Sequence, residues 1–130
     1  MENLKRDIKL IWAGRIVSVL AVFPFVMSSG MKLMAHPEVI KGMGHLGLAE
    51  SLIFPLGVLE LLCVVVYLVP ATSILGAILF TGYLGGAILT HLRIGENVFL
   101  QITIGVLLWL GLYLREPRLR QLIPFRKKVG

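Results

Sequence analysis

Four long apolar runs, at about residues 11–34, 51–69, 72–92 and 98–114, constrain this chain more than anything else in it. Each is close to the roughly 17–25 residues that a helix needs to cross about 30 Å of hydrocarbon. Backbone polar groups cannot be left bare in lipid, so the runs are expected to be helices rather than loops or open strands. The fourth is the shortest and needs little tilt, or help from Trp109 and Tyr113 at the interface. The composition points the same way: the chain is 57% hydrophobic and 15% charged, where soluble domains are roughly 45–50% and about 25%. No long linker, low-complexity segment or repeat interrupts the pattern. The expected architecture is all-α, a single domain over residues 1–130 forming a polytopic four-transmembrane-helix bundle.

The charged residues sit at the ends of these runs. The formal charge is +6, but six of the thirteen basic residues follow Leu114. A basic tail over residues 115–130 beside apolar helices reads as a topology signal and a contact with anionic headgroups. Nucleic acid is not expected, because no interleaving of aromatic and basic residues accompanies the charge. Lys5, Arg6 and Lys9 precede the first run, whereas the opposite side carries only Lys32, Lys41 and Arg93. Both termini are therefore expected to be cytoplasmic. The first run is expected to be retained, since "SSGMKLMAHP" carries no small-residue cleavage signature. The loop "AHPEVIKGMGHLGLAE" is expected to hold a short external helix starting at Pro37, with Val39, Ile40, Met43 and Leu46 as its apolar stripe against the outer mouth of the bundle.

Ionisable groups inside a membrane are costly and usually face the bundle interior, which makes Glu60 the sharpest pointer to function. Helical spacing puts Gly57, Cys63, Val64 and Tyr67 on its face. Arg15 is the expected charge partner, on a face of the first helix shared with Ser18, Val22, Phe25 and Ser29. Tyr83 falls roughly level with Glu60, and Thr90 continues its face. Gly82 and Gly86 form a G-x-x-x-G pattern, read as close packing between helices. Lys32, His45, His91, Arg93 and Gln101 are expected to gather at the external rim. The candidate pocket residues are thus Glu60, Tyr83, Arg15, Ser29, Lys32, His91, Arg93 and Gln101, with Ser28 as an alternative to Ser29. His36, His45 and His91 match no compact ligand spacing, so no metal is expected. The single cysteine, Cys63, excludes an intramolecular disulfide and reads as a small buried hydrophobe.

The segments "SGMKL", "HPEVIKGMGHLGL", "GVLELLCVVVYLVP", "LGAILFTGYLGGAILTHLR" and "WLGLYLREPRLRQLIPFR" resemble, in order and spacing, the DoxX-like membrane proteins, over about Arg15 to Arg126. The resemblance implies a four-helix integral membrane protein of a bacterial inner (cytoplasmic) membrane. Related members serve as a subunit of a thiosulfate:quinone oxidoreductase or are linked with oxidative-stress partners.

Two functions follow as expectations. The first is an accessory or binding subunit that holds a quinone- or lipid-like molecule near Glu60 and Tyr83, rather than a stand-alone enzyme. Membrane lipids, a partner redox protein and a second copy of the chain are its expected partners. No cofactor is evident from the residues, and quinone is the candidate that the resemblance supplies. The second is a small proton-coupled transporter working as a dimer through Glu60.

Overall fold

A computed structural model describes residues 1–128. Its helices are α1 (Glu2–Leu33), α2 (Pro37–His45), α3 (Ile53–Leu68), α4 (Ser73–Arg93), α5 (Phe99–Arg115) and the single turn α6 (Pro117–Arg120). No strand occurs among the described residues. Three stretches are long and apolar enough to cross a membrane: Glu2–Leu33, Glu50–Leu68 and Pro70–Arg93. The apolar helix Phe99–Arg115 is shorter.

Helix α1 begins nine residues before the apolar run expected from sequence. Glu2, Leu4, Lys5 and Arg6 are good helix formers, so the hydrogen-bond ladder continues past the point where hydropathy stops. At its other end Ala35 takes a left-handed conformation, φ 52°, and His36 N donates to Met31 O at 3.0 Å. Helix α2 starts at once: Pro37 occupies the first turn, and His36 Nδ1 accepts from Glu38 N. This position gives up nothing, since the first turn has no intrahelical partner for that N–H. Helices α3 and α4 are joined by the short 3-10 turn Pro70–Thr72, which is pinned by Thr72 Oγ1 donating to Val66 O at 2.8 Å.

Helix α1 packs on α3 and α5, and α4 also packs on α3 and α5. The order around the bundle is therefore α1, α3, α4, α5. Side chains from opposite helices meet in the middle, where the Phe25 and Phe80 rings lie 4.7 Å apart. The outward faces carry Leu20, Phe23, Leu75, Ile78 and Val106, all exposed. An apolar exterior of this kind suits hydrocarbon rather than water.

The two ends of the bundle are built differently. Near the α3–α4 turn the helices touch backbone to backbone. Gly14 lies against Gly111 and Arg115, Gly111 against Ser18, and Gly76 against the main chain of Tyr67. Tyr67 is fully buried there; its hydroxyl donates to Leu108 O at 2.5 Å and lies 3.1 Å from Ser18 Oγ. Arg115 stacks over the Tyr67 ring and donates to Tyr67 O at 2.7 Å. The end of the chain contributes as well: α6 folds back and buries Leu119 in the same core. At the opposite end, beneath α2, the helices leave room.

Candidate functional site

That room is a cavity of about 520 Å³. Such a volume is in the range of small-molecule sites, roughly 300–1,000 Å³. Leucines from α3 and the α2–α3 segment (Leu48, Leu52, Leu56 and Leu59) form much of its wall, with Met43 and Leu46 from α2 above. Helix α4 supplies Tyr83, Ala87, Thr90 and His91, and α5 supplies Leu100, Gln101 and Ile104.

Its polar centre is Glu60, only 1% exposed. Lys32 Nζ donates to Glu60 Oε2 at 2.7 Å, Tyr83 OH donates to the same oxygen at 2.9 Å, and Ser28 Oγ reaches it at 3.3 Å. Lys32 also donates to Ser28 Oγ at 2.5 Å. Three helices thus converge on one carboxylate oxygen: α1 through Ser28 and Lys32, α3 through Glu60 itself, and α4 through Tyr83. Removing a carboxylate from water is affordable only with such partners.

The partner is Lys32, not Arg15. Arg15 is exposed and its guanidinium stacks 4.9 Å from the centre of the Trp12 ring. The reason is register. On α3, Gly57 lies one turn before Glu60, and a β-carbon there would come within 2.8 Å of Lys32 Cβ. This close approach aligns Glu60 with the last turns of α1. Arg15 lies thirteen residues before Ser28, about 20 Å further along the helix at 1.5 Å per residue.

Other candidates separate in the same way. Tyr83, Lys32, His91 and Gln101 lie on the cavity wall with Glu60. Ser29 does not: it is buried and donates to Val26 O at 3.0 Å, while Ser28 takes the place at the carboxylate. Arg93 turns away from the cavity and donates to Leu46 O.

The glycines of the G-x-x-x-G pattern are a correction. Gly82 and Gly86 are exposed, line the cavity, and have nothing within 4 Å of where a β-carbon would stand. They keep a wall low instead of bringing helices together. Close packing falls to Gly14, Gly57, Gly76 and Gly111. Because Leu59, Gly82, Gly86 and Leu100 are exposed on the outer surface and also line the cavity, the cavity is open to the side of the bundle.

A second polar group, which the sequence pattern did not suggest, ties α2 down over the cavity. Gly95, at φ +80°, turns the chain after α4 and brings Glu96 between two histidines. Its Oε2 lies 2.6 Å from His91 Nδ1 and its Oε1 lies 2.9 Å from His45 Nε2. The His91 hydrogen bond, with a smaller contribution from His45, holds the Glu96 carboxyl below its ordinary range. Arg93 on Leu46 O closes the same seam. His91 is thus both a wall of the cavity and an anchor of its cover.

A family model described as DoxX-like family matches residues 16–113. No curated protein and no solved structure matches the chain.

Proposed function

We propose that this chain, which belongs to the DoxX-like family and is a membrane protein by that family and its apolar helices, is a binding subunit. Its bundle holds a hydrophobic, lipid- or quinone-like molecule and presents it to a partner protein of membrane redox or stress chemistry. The observation that carries this reading is the shape of the cavity. It has apolar walls, an opening on the face that hydrocarbon would cover, and a polar cluster on a buried carboxylate. A molecule dissolved in the bilayer could enter between the side walls without passing through water. Its polar end would meet Glu60, Lys32 and Tyr83, and its apolar body would replace lipid against the leucines.

In the membrane the chain would span four times, with both termini cytoplasmic. Helix α5 then crosses as the shortest span, and α2 covers the cavity on the external side. The clustering of Lys and Arg at the two ends supports this orientation. With Cys63 changed to alanine, a cysteine at the exposed Lys41 of α2 is expected to react with an impermeant maleimide in intact cells. Reaction only after the cytoplasmic face is opened would reverse the orientation.

Ligand retention tests the cavity itself. Gly86→Phe places a ring where space is open, so the bundle should still fold while the cavity is filled. Mass spectrometry of extracts from the purified protein is expected to find one hydrophobic compound enriched with the wild type. That enrichment should fall at least about tenfold in Gly86→Phe, the loss expected when about 1.4 kcal/mol of binding is removed. The same lipid profile in both proteins would remove the basis for a binding function.

A further inference from the structure

We infer that the polar end of the bound molecule is a hydroxyl group that donates a hydrogen bond to Glu60, as in a long-chain alcohol or an alkyl phenol. This rests on the reading of the cavity as a ligand site and specifies its chemistry. The two carboxylate oxygens of Glu60 are in different situations. Oε2 takes all three donors, from Lys32, Tyr83 and Ser28. Among the described residues no donor reaches Oε1, although Glu60 is nearly fully buried and lines the cavity. Gln101, another residue of the cavity wall, has a buried side-chain oxygen without a hydrogen-bond partner. The carboxylate on the wall of this apolar space thus keeps one oxygen free to accept. Buried polar atoms are rarely left unpaired, and each unpaired one is costly.

The chemistry of the head group follows by comparison. An ether or a carbonyl can only accept, so it leaves Glu60 Oε1 unpaired. A carboxylate or phosphate is repelled by Glu60. An ammonium group donates, but the charge of Glu60 is already matched by Lys32 at 2.7 Å, and a second cation would face that lysine. A neutral hydroxyl donates to Oε1 and can still accept from Lys32, two of whose three N–H groups are engaged by Glu60 and Ser28. By the same reasoning a quinone fits the volume and the apolar walls, but its reduced, hydroxyl-bearing form matches the free acceptor better than its dicarbonyl form.

The test compares 4-decylphenol with its methyl ether, 4-decylanisole, titrated into the purified protein in nanodiscs. The phenol is expected to bind at least about tenfold more tightly. That ratio should shrink severalfold in Glu60→Gln, whose amide can turn a donor toward the cavity. It should also shrink in Lys32→Met/Glu60→Gln, which strands no charge and serves if Glu60→Gln alone fails to fold. Gly86→Phe should weaken both compounds. Equal affinities in the wild type, both lost in Gly86→Phe, would overturn the hydroxyl preference and leave the cavity reading standing. A preference that survives in every folded Glu60 variant would also overturn it. If neither compound binds, the cavity reading falls and the inference falls with it.

Discussion

Lys32→Met is expected to destabilise the bundle by about 3–5 kcal/mol, the usual cost of leaving one member of a buried ion pair without the other. Glu60 is only 1% exposed and Lys32 13%, so solvent can do little for the carboxylate left behind. Ser28 and Tyr83 would remain as donors, and neither carries a charge. Unfolding in a denaturing detergent, followed by circular dichroism, measures the effect. Adding Glu60→Gln to Lys32→Met removes the stranded charge while keeping an oxygen for Tyr83, and most of the loss should return. The double-mutant cycle is the decisive reading: losses that simply add would mean that the two groups do not act as a pair. Arg15→Met serves as the control. Arg15 is exposed and its guanidinium stacks on Trp12, so its loss should cost well under about 1 kcal/mol.

The second large effect concerns the glycines, which the fold divides into two kinds. Gly76→Ala is expected to cost about 1–3 kcal/mol or more, because its β-carbon would run into the main chain of Tyr67, which cannot swing aside as a side-chain tip can. Tyr67 in turn holds Leu108 O, Ser18 and Arg115, so a displacement there reaches α1 and α5. Gly86→Ala should do the opposite. It meets open space and removes the helix penalty of a glycine, a gain of up to about 1 kcal/mol. The same chemical change, ten residues apart on one helix, should therefore carry opposite signs. Equal losses at both positions would contradict the cavity beside Gly86.

Much of the scaffold was legible because hydropathy and helical period are local properties of a sequence. The runs at 51–69, 72–92 and 98–114 lie within a residue or two of the helical stretches Glu50–Leu68, Pro70–Arg93 and Phe99–Arg115. The start of α1 was not legible, since charged residues such as Lys5 and Arg6 extend a helix without raising its hydropathy. Glu60 and Tyr83 could be brought together from depth alone, as both fall mid-helix. The partner of Glu60 could not, because depth does not fix the register between α1 and α3. Gly57 fixes it, and a glycine one turn from a buried acid was the available signal. The G-x-x-x-G pattern misled for a related reason. Spacing places Gly82 and Gly86 on one face but does not say whether another helix lies against that face. Glu96 drew no notice because its partners, His45 and His91, lie 51 and five residues away, and only the turn at Gly95 brings the three together.

At the centre is a specific hydrophobic molecule held in the membrane by the cavity under α2. Photo-crosslinking from inside and outside the cavity tests it most directly. A leucine-shaped diazirine amino acid is placed at Leu56, on the wall, or at Leu89, which is exposed and not on the wall. Membranes are irradiated, and the purified adducts are weighed by mass spectrometry. Bulk phospholipid adducts are expected at position 89, and at position 56 a single, distinct low-mass adduct that disappears in Lys32→Met/Glu60→Gln. The same phospholipid adducts at both positions would contradict it.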